Sequence, residues 1–94
     1  SAMSRTEFDR IRTEGGYDEP YVVDFGERGN PEMHAHPFDA VLLMTSGEFT
    51  LKFESNEQQM RAGDLCMVEA GTLHAEVCNA GEAIAIAAAR PVSS

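Results

Sequence analysis

The sequence predicts a small all-β domain, a sandwich or barrel, preceded by one short helix. Three observations lead there. After Gly16, short runs rich in Val, Phe, Leu and Ile alternate with turn signals. Within them, Phe49, Leu51 and Phe53 alternate with Thr50 and Lys52, the period of two that marks a strand with unlike faces. Before Gly16, the apolar residues are spaced as on a helix instead.

Taken in order, residues 1–3 read as a cloning remnant and chain start, with Ser1-Ala2 ahead of Met3. Residues 4–16 read as the helix. Ser4 caps it, Glu7 three residues later completes a capping box, and Gly15-Gly16 ends it. Phe8 and Ile11 give it one narrow apolar face. Residues 17–92 read as a single β domain. Strands are expected at 21–25, 33–36, 40–45, 48–53, 58–61, 64–68, 74–78 and 83–89, with breaks such as Ser46-Gly47 and Asn79 to Gly81 between them. The run Ala83 to Ala89 is rich in alanine, which favours helix, but its isoleucines alternate and its neighbours are strands. The expected core is Phe49, Leu51, Phe53, Leu65, Met67, Ile84 and Ile86.

The chain's 94 residues leave room for one domain. A formal net charge of −9, with Lys52 the single lysine, would repel polyanions. Nucleic acids and anionic membrane surfaces are therefore excluded as expected partners. No apolar run approaches the length of a membrane span. The two cysteines, Cys66 and Cys78, follow no secretory signal, which points to a reducing cytoplasm rather than a disulfide framework. Cys66 reads as buried packing. Small size and free strand edges predict a homodimer, with Ala83–Ala89 a candidate interface element.

The three histidines carry the chemistry. His34-Ala35-His36 lies in an extended segment, and Pro37 restricts His36 to extended backbone. Side chains at i and i+2 share a face, so two imidazoles point the same way and supply half a coordination sphere. His-x-His by itself is a common surface pair, and the surrounding residues give it weight. Gly29 precedes it and Gly47 follows, while Gly63, Gly71 and His74 form a second spaced set, Gly63-(x)7-Gly71-x-x-His74.

These two sets, in this order, resemble the two motifs of the cupin family over roughly residues 20 to 90. The resemblance implies a small cupin β-barrel, a double-stranded β-helix or jelly roll. It also implies one divalent transition metal, Zn, Ni, Fe or Mn, on His34, His36 and His74. The sequence departs from the family pattern in four places. Gly29 to His34 is one residue short. Ala40 stands where the family places a glutamate ligand. Glu69 replaces the second motif's proline, and Cys78 its asparagine.

Parity offers a replacement for the missing carboxylate. If His74 points inward, Glu76 and Cys78 at i+2 and i+4 do too. Glu76 is then a distant ligand or a general acid–base group, or else it sits in solvent at the barrel mouth. Cys78 is a soft ligand or a small buried thiol. Asp39 is a hydrogen-bond acceptor for an imidazole or a turn residue. Leu42 and Met44 are expected to line the pocket, with Phe38 near its entrance. Three functions are compatible with such a site: metal-dependent chemistry (dioxygenase-, isomerase- or lyase-like) on a small oxygen-rich organic molecule, a non-catalytic binding or regulatory module, or a structural domain with a vestigial site.

Overall fold

One strand, β2 (Phe38–Phe53), runs the length of the molecule and belongs to both of its sheets. The computed structural model describes residues 2–92, so Ser1 lies outside the described residues. The first half of β2 pairs with β6 (Ala83–Pro91) on one side and β4 (Leu65–Val68) on the other, and β1 (Tyr21–Asp24) extends that sheet beyond β6. The second half pairs with β3 (Glu57–Arg61) and β5 (His74–Val77). All pairings are antiparallel, and among the described residues the ladder does not close on itself.

The sequence suggests two strands here, broken at Ser46-Gly47. The break is instead a bulge within one strand. Met44 faces Ala85 and Ser46 faces Ile84, so Thr45 is an extra residue between two successive partners. One extra residue reverses the parity of the rest of the strand. Leu42 and Met44 face the inner core before the bulge, and Phe49 and Leu51 face it afterwards. Gly47 comes just after the bulge at φ 72°, and a Cβ there would run into the Glu82 carbonyl oxygen. A turn signal in sequence thus serves to bend and re-phase a strand.

Each face of the first sheet has its own apolar cluster. The inner one holds Leu42, Met44, Phe49, Leu51, Cys66 and Val68, with Ala83, Ala85 and Ala87 of β6. The outer one lies under α1 (Arg5–Glu14), where Phe8 packs with Val41, Leu43, Ile86 and Ala88. Complete burial of Phe8 removes enough apolar surface to contribute about 2–3 kcal/mol. Ser4 caps α1 through its side-chain oxygen, which accepts from the Glu7 N–H at 3.1 Å. Gly16, at φ 73°, carries the chain out of the helix.

Several expectations change. On β4 the inward residues are Cys66 and Val68. Leu65 is half-buried under α1, and Met67 is 53% exposed. On β6 the alternation does mark a strand, but Ala83, Ala85 and Ala87 face inward while Ile86 and Ala88 lie under the helix and Ile84 is only partly buried. A narrow interior that must keep a cavity takes alanine, and the bulk goes outside. β6 is hydrogen-bonded to β2 along its length and to β1 over 84–87. Phe25 leaves β1 for a single helical turn, α2 (Phe25–Arg28), capped by the Asp24 side chain on Gly26 N–H at 2.8 Å. Residues 33–36 form no strand; they make one bridge, His34 with His74. Pro31 and Pro37 flank them and supply no N–H for a longer ladder. Among the described residues no helix is long and apolar enough to cross a membrane.

Gly47 and Gly16 separate two effects. Gly16→Ala adds only the strain of left-handed backbone, since nothing lies near its Cβ position, and is expected to cost about 1 kcal/mol. Gly47→Ala adds the collision with Glu82 and is expected to cost about 3 kcal/mol. Urea unfolding of both variants checks this, and equal losses would refute the role assigned to the bulge.

Candidate metal centre

The site grows from a backbone pairing. His34 N–H donates to the His74 carbonyl at 2.8 Å, and His74 N–H returns the bond to His34 at 2.9 Å. Two residues that exchange both bonds lie directly opposite, with side chains on one face. Glu76 N–H donates to the Asn30 carbonyl at 2.8 Å, which continues the pairing. His36 follows His34 by two and Glu76 follows His74 by two. All four side chains therefore converge, and a ligand atom from each lies within 4.8 Å of the others. His74 and Glu76 are buried, and His34 and His36 half-buried.

The hydrogen bonds fix which nitrogens face inward with lone pairs. His34 Nδ1 lies 2.7 Å from the Glu32 carbonyl and His74 Nδ1 lies 2.8 Å from the Thr72 carbonyl. A carbonyl only accepts, so both Nδ1 atoms carry the proton and the neutral rings present bare Nε2 atoms. Glu76 Oε2 sits 3.1 Å from His34 Nε2 and 3.3 Å from His74 Nε2. The other carboxylate oxygen, Oε1, accepts from Asn30 N–H at 2.9 Å. Three acceptors thus face one another across a distance that needs a cation between them, either a proton or a metal ion. His36 adds a third imidazole. Burial, with the neighbouring His74 and His34, holds its pKa below the ordinary histidine value, while Glu76 pulls the other way. That shift favours the neutral ring, the form with a lone pair to donate. Its ring stacks on Phe38, with centroids 4.9 Å apart and planes 11° from parallel.

The four side chains line a half-open cavity of about 320 Å³. Phe38 and Leu42 line it, in the places parity assigns them. Ala40 lines it too, and its methyl group leaves space that a glutamate side chain would fill. Met44 lies deeper, fully packed in the inner core and outside the cavity wall. Cys78 packs against the same core, with its thiol 3.5 Å from the Glu48 carbonyl, and joins no imidazole. Parity does turn Cys78 toward the inner core, but it stands two residues beyond Glu76 and outside the cluster.

Asp39 does not meet an imidazole. It faces the opposite side of β2, where Oδ1 accepts from Ala70 N–H at 2.8 Å and Oδ2 takes Arg90 Nη2 at 2.8 Å. Arg90 also lies over the Tyr17 ring and donates to the Gly15 carbonyl. Asp39 thereby anchors the 69–72 turn, whose Gly71 N–H bonds the His36 carbonyl and whose Thr72 carbonyl orients His74. Its influence on the site passes through the backbone. Sequence reasoning missed Asn30, Arg28 and Tyr21. Asn30 carries a usable signal, since Asn-Pro begins a turn and its side chain accepts from Glu32 N–H at 3.0 Å.

Comparison by sequence with family models finds one match, described as a cupin domain, over residues 21–88. Comparison with curated proteins finds no significant match. Among solved structures, an acireductone dioxygenase from Bacillus anthracis with a cadmium ion in its active centre superposes with TM-score 0.70. It is 15% identical, and the alignment covers 94% of this chain and 59% of that one. A cupin-2 domain protein from Shewanella frigidimarina gives TM-score 0.63 at 19% identity, covering 78% and 69%. A DMSP lyase from Ruegeria pomeroyi gives 0.65 at 23%, covering 76% and 36%. The chain thus spans little more than half of the dioxygenase and about a third of the lyase, and likeness at this identity speaks for the fold.

The Ala70 N–H and the Arg90 guanidinium hold the Asp39 carboxyl below the usual carboxylate range. A depressed folded-state pKa stabilises the fold fully above the unfolded value, near about 4, and the gain is lost as pH falls through the lower folded value. Asp39→Asn is therefore expected to melt below the parent at neutral pH, with the gap closing in acid. Thermal melts in chelator across a pH series check the sign, and a gap that widens in acid would contradict it.

Proposed function

The chain belongs to the cupin domain family, and from that premise we propose that it binds one divalent transition metal on His34, His36, His74 and Glu76 and uses it on a small organic molecule in the adjoining cavity. The observation that carries this reading is the meeting of three hydrogen-bond acceptors, two Nε2 atoms and Glu76 Oε2, with their donors already used elsewhere. The donor set suits Zn, Ni, Fe or Mn. A divalent ion so held supplies Lewis acidity, polarising a substrate oxygen or lowering the pKa of a bound water.

Glu76 fits the role of ligand better than that of general acid–base. Oε1 is occupied by Asn30 N–H and Oε2 points at two imidazoles, which leaves no oxygen free to carry protons to a substrate. It supplies from β5 the negative charge that Ala40 does not. The carbonyls of Glu32 and Thr72 set the ring planes of His34 and His74, and Phe38 sets that of His36. The apolar walls, Phe25, Leu42, Phe49 and Leu51 among them, exclude water and strengthen electrostatics at the cluster. A substrate with oxygen atoms at one end, directed to the histidines, matches this division. The names of the similar structures include both a dioxygenase and a lyase, so oxidation and elimination are both compatible with the scaffold. A homodimer belongs to the same proposal, with the free edge of β1 rather than β6 as its contact.

Elemental analysis after loading with Zn, Ni, Mn or Fe(II) and removal of excess should give one ion per chain. Metal in about hundredfold excess over its Kd should raise stability by roughly 2.7 kcal/mol. His74→Ala should abolish stoichiometric uptake, and Glu76→Gln should weaken it about 10- to 100-fold. A protein that takes up none of the four metals, with a protonated histidine–glutamate pair in their place, would end the metal reading.

A further inference from the structure

The chain has seven cationic side chains, and most are engaged away from the cavity. Arg5 and Arg10 pair with acids along α1, Arg61 with Glu48 and Arg90 with Asp39. Arg12 donates to the carbonyls of Tyr17 and Asp18. Lys52 is exposed on β2 and does not reach the cavity. Arg28, in the last turn of α2, differs from all of these. It lines the cavity at its exposed rim beside Tyr21 and Asn30, and it makes no hydrogen bond or ion pair among the described residues. It is the one lysine or arginine side chain in the wall, whose other members away from the histidine cluster are apolar except for Tyr21 and Asn30 at the rim.

We propose that the cavity takes a small organic anion whose carboxylate is met by Arg28 at the rim while its carbon body packs on Val23, Phe25, Phe38 and Leu42. The proposal rests on the reading of this cavity as the binding site, and adds the chemical class of what enters it. A planar guanidinium with its donors unspent matches a carboxylate in a two-bond fork. One cation at the rim suits a single negative charge. The whole chain carries −9, so its general field repels anions and any preference for them has to be built locally. A volume of about 320 Å³ corresponds to roughly ten water-sized groups, the scale of a six- to ten-atom acid.

Hexanoate and its neutral isostere hexanamide test the proposal. Their binding is measured by calorimetry on the parent, Arg28→Gln and Arg28→Lys, each with and without Zn and with metal content determined in parallel. The parent should prefer hexanoate, Arg28→Gln should lose about tenfold in hexanoate affinity with little change for hexanamide, and Arg28→Lys should recover part of the loss. Arg28 is exposed, so the variants should melt with the parent. Equal binding of the two probes, absence of hexanoate binding, or a hexanoate preference untouched in Arg28→Gln would overturn the proposal. A protein that binds hexanoate through Arg28 but holds no Zn would uphold it while removing the metal reading, so the two failures are distinct.

Discussion

The site depends on one antiparallel bridge. Residues 32–36 form no strand, and Pro31 and Pro37 on either side supply no N–H for a longer ladder. The reciprocal bonds between His34 and His74, with Glu76 N–H on the Asn30 carbonyl, are what attach this segment to β5. Paired residues share a face, and so do residues two apart along extended chain. From those two rules His34, His36, His74 and Glu76 emerge as a group. No side-chain contact is needed to gather them, because the backbone does so before any ion is considered.

That gathering has an electrostatic cost which the carboxylate both raises and answers. Bringing neutral imidazole rings together in a half-buried pocket costs little, because no net charge is involved. Adding an ionised carboxylate oxygen at 3.1 and 3.3 Å makes the pocket a strong demand for positive charge. In the family pattern the glutamate comes from β2, at the position of Ala40. Here β5 carries a carboxylate beside the histidines instead, and β2 has only a methyl group at residue 40. With Ala40 on one strand and Ala87 on its neighbour, the cavity keeps space beside the cluster that a glutamate at residue 40 would fill.

The parts of this arrangement that are legible in the sequence are those governed by periodicity within a single extended run. His34 with His36, and His74 with Glu76, are i, i+2 pairs, and spacing alone places each on one face. What spacing does not reveal is where a strand changes phase. Ser46-Gly47 has the composition of a turn, yet the bulge at Thr45 turns it into a bend, and the inward set shifts from even to odd positions. The isoleucines of β6 mislead for a related reason. Their alternation is real, but both sheet faces bury apolar surface, one under α1 and one around the cavity, so size rather than hydropathy decides which residue faces in. Proximity in sequence assigns Asp39 to the histidines, whereas its partners Ala70 and Arg90 are far along the chain. Arg28 and Asn30 lie in a helical turn and a loop, where no period exists to read.

The two halves of the cluster are not held equally, and this bears on how it would meet a ligand. His74 and Glu76 are buried on a strand paired with β2, and the turn before them is tied to Asp39. His34 and His36 lie in a half-exposed loop, anchored by the bridge, by Gly71 N–H on the His36 carbonyl and by the stacking on Phe38. Segments with few buried contacts open locally at lower free energy than paired strands. The β5 pair is therefore the fixed half of the site and the 30–36 segment the adjustable one. The tie between the two halves is already made by Asn30, whose N–H donates to Glu76 Oε1 and whose carbonyl accepts from the Glu76 N–H, so the short stretch from Arg28 to His36 holds both the cavity rim and two of the imidazoles.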